Sequence, residues 1–466
     1  MKNLICKKFN ILEIVLILSP IIDILTSVSQ RKFNIDISLG LIVRSFLLFF
    51  ITVFMLVKSN YKYKKITITY LALVVIYSVI FIINMFLTKG NTYIITEIKE
   101  LVKAFYFPLC LIAILNYVET KDYKIDLKVL FFVMIEYVIL LFLPSMLNLG
   151  YESYVEDKIG TIGWFFSANE ISSIYSILVI LVVFGYKYIK NLAIYFGLLI
   201  VSFYTILQIG TKMPAISAII TIASFLAFYL IRYLSTKNKE FGKYLIAGLG
   251  VMCIFTIIFL TSPVVKNYNI YKNYLIATRE QQESVESNAI PTNEKHENEK
   301  AEDNSADVNE TKTYKPSTEN NKDEKLTDDE FATIIHSGRL ETLSNINSKY
   351  SKSSVITKMI GLGRIDIENK DEFLIEIDYF DILYNFGILG FIIYFVPVII
   401  IAVAIIKNII KNKLKTILID EYAFCCIVLI LTGVMCAVAG HTLVAPAVSI
   451  YIAMALIGLF RRYESN

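Results

Sequence analysis

The sequence predicts an all-α polytopic membrane protein, with about 12 transmembrane helices and one large extracytoplasmic loop between helices 9 and 10. Three observations carry this. Of 466 residues, 56% are hydrophobic and the mean hydropathy is +0.60, more than a soluble domain carries. The apolar residues fall in blocks of about 20, the length that crosses about 30 Å of hydrocarbon at about 1.5 Å per residue. Lys and Arg gather in every second connection between the blocks.

In chain order the blocks are 11–28, 37–57, 66–88, 98–117, 127–148, 170–187, 191–209, 213–232, 243–262, 378–406, 417–437 and 442–460. The first follows MKNLICKKF and contains Pro20 and Asp23 without a small-residue cleavage site. It reads as a retained span rather than a signal peptide. The fourth is the weakest, because Lys99, Glu100 and Lys103 enter its first turns. With the N-terminus inside, the inner connections hold 22 Lys and Arg, and the short outer ones about six. Both termini are then cytoplasmic, and residues 263–377 face outward.

The domain organisation follows: helices 1–9 over residues 1–262, the extracytoplasmic loop over 263–377, and helices 10–12 over 378–466. The loop has two parts. Residues 280–330 hold 16 Asp and Glu against 6 Lys and almost no large apolar side chain, so they are expected to be disordered. Residues 331–377 regain apolar residues at helical spacing (Phe331, Ile334, Ile335, Leu340, Leu343) and are expected to fold against the bundle.

The six cysteines, Cys6, Cys110, Cys253, Cys425, Cys426 and Cys436, stand in apolar segments or near the N-terminus without CxxC spacing. That argues against a disulfide framework or a zinc site and for small buried hydrophobes. No metal, cofactor or nucleic acid is expected, although clustered Asp would suit Mg²⁺ if one were needed.

Charge inside a span costs roughly 2.5–3.5 kcal/mol, so each such residue calls for a reason. Asp23, Arg44 and Glu136 are of this kind. An Asp23–Arg44 pair joining helices 1 and 2 is the structural reading; an interior site is the functional one. In LQIGTKMPAIS, Lys212 stands at a helix N-terminus with Pro214 in the first turn. Such a Lys suits a phosphate, or else snorkels to the headgroups. In EFLIEIDYFDILYNFGILG, Asp378, Asp381 and Asn385 share one helical face, and Glu372 and Glu376 share another. His441 in AVAGHTLVAP and Arg339 in HSGRLET fall at the same outward level. Arg44, Lys212, Arg339, His441, Glu376 and Asp378 therefore outline one pocket of mixed charge at the extracytoplasmic surface.

Six segments, in four groups, carry a family resemblance. GTKMPAIS resembles the small-basic-small motif that opens a central helix in O-antigen ligases and O-antigen polymerases. SGRLETL, IGLGRI and EIDYFDILYNFGILGFIIY resemble the end of that family's large outer loop and the helix after it. AGHTLVAPAVSIYIAMALIG resembles its last helix, in the branch found in Gram-positive capsule and teichuronic-type clusters. FSANEISSI resembles its small-Asn-small motif, with Asn169 as the Asn. The similarity covers roughly 160–232 and 331–460.

What the resemblance implies is a metal-independent, inverting glycosyltransferase of the cell membrane. It would move a glycan from a polyprenyl-diphosphate-linked oligosaccharide to an acceptor sugar, in a capsule or exopolysaccharide pathway with other assembly proteins. Diphosphate binding would fall to Lys212, Arg339 and Arg44. Asp378, Glu376 and Arg339 would be catalytic, with His441, Asp381 and Asn169 supporting. Ligases commonly have His-Asn where this chain has Asp378-Tyr379, which tilts the expectation toward a repeat-unit polymerase. A ligase of finished polymer and a lipid-linked oligosaccharide flippase remain as alternatives.

Overall fold

The computed structural model describes residues 10–34, 38–57, 63–121, 123, 126–154, 158–189, 191–288, 339–367, 371–373, 375–411, 420–438 and 440–464. The expected disordered insert lies outside the described residues from 289 onward, as do Phe331, Ile334 and Ile335. Among the described residues the chain is helical apart from one two-stranded hairpin and an isolated bridge between Glu152 and Thr161.

The described residues form twelve apolar helices, which match the predicted blocks. They are α1 (Ile11–Phe33), α2 (Leu39–Val57), α3 (Lys64–Lys89), α4 (Ile94–Lys121), α5 (Leu127–Met146), α6 (Ala168–Val183), α7 (Leu192–Gln208), α8 (Lys212–Thr236), α9 (Lys239–Leu260), α13 (Asp378–Lys411), α14 (Asp420–Val438) and α15 (Pro446–Glu464). Seven are long and apolar enough to cross a bilayer, and five shorter apolar helices join them. Between α9 and α13 come α10 (Pro263–Asn288), α11 (Arg339–Lys352), α12 (Val355–Ile360), β1 (Ile365–Asp366) and β2 (Asp371–Glu372). Helix α10 carries on into the acidic stretch as far as Asn288.

The chain divides by its packing into two units, residues 1–267 with 336–466, and residues 268–335. The described part of the second is the remainder of α10, where Tyr271 and Tyr274 stack with ring centroids 6.3 Å apart. The segment 339–377 belongs to the first unit and packs as part of the bundle. A small core of Ile346, Phe373, Ile375, Ile377 and Tyr384 holds α11 and the hairpin to the start of α13.

Position in the bundle follows from side-chain pattern. In α4, 78% of the apolar window is buried; in α9 only 17% is. Helices α4, α6 and α15 are central, and α4 packs on α15, α2, α3 and α13. Outer helices leave apolar faces exposed, such as Phe46, Phe49, Phe50 and Phe54 on α2. In a bilayer such faces meet lipid while each helix satisfies its own backbone. The weak fourth block is thus the most buried of the seven long spans: Ile94–Lys121 begins earlier than the apolar run, and its charged first turns face inward.

Helix α13 is broken at Gly387, whose φ of 64° and ψ of −178° are not helical. The break frees carbonyls that other groups then claim. Leu362 N donates to Tyr384 O (2.8 Å), and Gly363 N donates to Asn385 O (3.0 Å). The Tyr77 hydroxyl donates to Phe386 O (2.6 Å). A Cβ on Gly361 would run into Asn385 O, and one on Gly387 into the backbone of Gly361 and Ile360. The two glycine motifs, GLG and NFGILG, are therefore halves of one joint. Buried backbone groups inside a membrane protein need such partners.

The following loop is anchored to α4. Glu97, 1% exposed, accepts from Arg364 N (2.8 Å) and Ile365 N (3.0 Å) and pairs with Lys89 (2.5 Å). This fixes Arg364 against the first turn of α4.

Candidate functional site

A polar cavity of about 360 Å³ opens at the end of the bundle where α4, α6 and α13 begin. Helix α4 contributes Lys99, Glu100 and Lys103; the start of α6 contributes Ser167, Asn169 and Glu170. The loop before β1 gives Arg364, the segment entering α13 gives Glu376, and α13 gives Asp381 and Asn385. His441 and Pro446 close it from the turn before α15. So many charges at one bundle end are expensive unless each has a partner or a ligand.

Most have partners. Arg364, 7% exposed, donates from Nη1 to Asp381 Oδ1 (2.8 Å). Asn385 Nδ2 donates to the same oxygen (2.9 Å), so the Asp381/Asn385 face of α13 points into the bundle as its spacing predicts. Lys103 pairs with Glu100 at 2.6 Å. Arg339, the first residue of α11, donates from Nε to Glu376 and from Nη1 to the Val438 carbonyl. That guanidinium ties α11, the start of α13 and the end of α14 together.

His441 sits in a strained turn. Its φ is +55°, and Gly440 before it has φ +65°. A Cβ on Gly440 would collide with the Glu376 backbone, so only glycine lets this turn approach. Burial, reinforced by Arg364 and Arg339, lowers the imidazole to about 4, with Glu376 opposing. The ring is therefore neutral at physiological pH, with one nitrogen to accept and one N–H to donate.

Asp378 does not line this cavity. It is 0% exposed, and its Oδ2 accepts from Thr442 N and Leu443 N, both at 2.9 Å. Its carboxylate holds the turn that carries His441. The expected catalytic trio is thus split: Glu376 and Arg339 meet at the cavity rim, and Asp378 lies behind it. Asp378 Oδ2 is held by the two backbone amides, and Asp381 Oδ1 by Arg364 and Asn385.

The expected diphosphate ligands are split as well. Lys212 opens α8 after Gly210, whose φ is +77°. The Thr211 N-cap hydroxyl meets Ser172 at 2.7 Å and makes no cap bond to the first turn of α8. Lys158 and Arg339 both lie within electrostatic range of Lys212. Arg44 is elsewhere: its Nη2 pairs with Asp23 at 2.5 Å, and the Tyr137 hydroxyl donates to the other Asp23 oxygen (2.9 Å). This is the structural pairing between helices 1 and 2 that the sequence left open. Glu136 on α5 is part-exposed, and its Oε2 makes no hydrogen bond among the described residues.

Sequence reasoning missed Lys99, Lys103, Glu100, Glu170 and Arg364 as site residues. The signal for the first three was present. Three charges in the first turns of an otherwise apolar helix weaken a span but mark a helix whose start faces a polar interior. Glu170 and Arg364 lay within quoted motifs, and nothing in their spacing separates a cavity residue from an ordinary loop charge.

A search of curated proteins and a search of solved structures returned no match. The family profile described as O-antigen ligase like membrane protein matches residues 6–464. The match runs through all twelve apolar helices and every cavity-lining segment named above. This protein belongs to the O-antigen ligase like membrane protein family, and it is a membrane enzyme of glycan transfer.

Proposed function

We propose that the protein is a polysaccharide repeat-unit polymerase working at the outer face of the cell membrane. The donor is a glycan on polyprenyl diphosphate, and the acceptor is a sugar hydroxyl of a second glycan. One observation supports this most: the Arg339–Glu376 pair stands between a cationic cluster and a polar cavity.

On one side, Lys212, Lys158 and Arg339 gather at the start of α8. A diphosphate there would meet matched charge and the first amides of α8, to which Thr211 makes no cap bond. On the other side, the cavity takes the acceptor. The anomeric carbon–oxygen bond to phosphate breaks, and polyprenyl diphosphate leaves with the electron pair. The acceptor oxygen attacks the opposite face of that carbon, inverting it, and gives its proton to a base. Glu376 is our base, released from Arg339 as the guanidinium turns to the phosphates. Neutral His441 hydrogen-bonds the acceptor hydroxyl, Asn169 supports it, and Asp378 positions the His441 turn. Asp381 and Arg364 hold the floor.

The orientation is part of the proposal: both termini cytoplasmic, as the Lys and Arg distribution indicates. In cells carrying Arg339→Ala or Glu376→Gln at normal protein levels, surface polymer should collapse to single repeat units. Full-length polymer from both variants would remove the site assignment. Accumulation of long lipid-linked chains would favour a ligase instead.

A further inference from the structure

The crevice does not end at the cavity described above. A second chamber of about 230 Å³ adjoins it and shares Lys99, Lys103, Ser167, Glu170 and Pro446 as walls. Its own lining comes from helices the proposed chemistry does not use. Asp23, Thr26 and Gln30 come from α1, and Arg44 from α2. Phe165 and Phe166 come from the segment before α6.

The chamber is built rather than incidental. Arg44 and Asp23 form a fixed pair, with Arg44 6% exposed and Asp23 also held by Tyr137. The Thr26 hydroxyl accepts from Gly40 N (2.7 Å), clamping α1 to α2. A Cβ at Gly40 would strike both Arg44 Nη1 and Thr26 Oγ1, so the closeness of the two helices depends on that glycine. Phe166 is held in turn: Arg31 lies over its ring at 5.2 Å and donates to its carbonyl at 3.0 Å. The walls thus offer donors, acceptors and two aromatic rings. The charges around it offset one another: Arg44 pairs with Asp23, Lys103 with Glu100, and the remaining wall charges, Lys99 and Glu170, are of opposite sign. That suits neutral hydroxyls better than a diphosphate.

We infer that this second chamber is a specificity subsite for an uncharged sugar ring of the acceptor glycan, one residue removed from the ring that reacts. The inference rests on the glycan-transfer reading and deepens it. It makes Gln30, the Asp23–Arg44 pair and Phe166 the readers of acceptor identity. The catalytic rim reads only the reacting hydroxyl.

The test uses the full-length protein in nanodiscs and two probes. One is lipid-free oligosaccharide from partial hydrolysis of the same cells' surface polysaccharide; the other is sugar-free polyprenyl diphosphate. Binding of each probe is read by isothermal titration calorimetry. Gln30→Ala and Phe166→Ala should each weaken the oligosaccharide about tenfold, the scale of one lost hydrogen bond or ring contact. Gln30→Trp, which fills the chamber, should abolish binding of oligosaccharides longer than one sugar. All three variants should hold polyprenyl diphosphate with unchanged affinity, which also shows that they are folded. Oligosaccharide binding unaltered by Gln30→Trp overturns the subsite alone. Weakened polyprenyl diphosphate binding in that variant also overturns it, in favour of a headgroup site. A wild-type protein that binds neither probe overturns the underlying function.

Discussion

Asp378 gives the sharpest test of how the site is built, because a buried carboxylate can be a base or a brace. Its Oδ2 accepts from two backbone amides, Thr442 N and Leu443 N, at 2.9 Å each. Thr442 is 0% exposed and Leu443 5%, so water does not replace the acceptor. Removing it with Asp378→Ala strands two buried donors at about 1–3 kcal/mol each, or roughly 2–6 kcal/mol together. Asp378→Asn keeps a carbonyl oxygen in place and exchanges charge-assisted bonds for neutral ones about half as strong, a loss of about 1–2 kcal/mol. Thermal unfolding of the detergent-purified protein should therefore rank wild type, Asn and Ala in that order, with Ala far below. Glycan transfer by the Asn variant should stay within about tenfold of wild type, since the turn carrying His441 is retained. If Asp378→Asn melts like wild type and loses transfer as completely as Glu376→Gln, the brace is wrong and Asp378 takes part in the chemistry.

Other expectations follow from the same geometry. Gly387→Ala forces a Cβ into the Gly361 backbone at a φ of 64°. It should cut the yield of folded protein, seen as loss of the monodisperse peak in size exclusion. His441 has its imidazole lowered to about 4 against an ordinary 6.5. The unfolded chain then takes up the proton first, so folded stability is lost as pH falls from about 6.5 to about 4 and levels below that. In His441→Gln that acid slope should be shallower by one proton's worth in melts across this range. Arg339→Lys keeps the charge but cannot bond Glu376 and the Val438 carbonyl as a planar fork does. It should retain less than a tenth of wild-type transfer, measured as product per minute. Deletion of residues 285–325, acidic and poor in apolar side chains, should leave polymer length unchanged on a gel.

The spans were legible because hydropathy is a local property: each block of about 20 apolar residues stands by itself. The inward face of α13 was legible for the same reason, since Asp378, Asp381 and Asn385 fall at i, i+3 and i+7 within one helix. What the three residues do was not. Asp378 is claimed by amides 64 and 65 residues on, and Asp381 by an arginine on another element. Those pairings are made by folding and leave no spacing signal. The start of α4 shows how a local rule misleads. Lys99, Glu100 and Lys103 lower the apparent quality of a span and so read as a weakness, although they line the cavity. The joint between Gly361 and Gly387 was equally hidden. Each glycine alone looks like an ordinary loop or a tolerated helix glycine, and only their contact shows that one admits the other.

The proposed reaction joins glycans with release of a lipid diphosphate. Its most direct test is the purified protein in liposomes with polyprenyl-diphosphate-linked repeat units from the same cells and no other protein. A ladder of lengthening lipid-linked chains is expected, with one polyprenyl diphosphate released for each bond formed and no ladder with Glu376→Gln. Movement of the repeat unit between leaflets without any lengthening would contradict it.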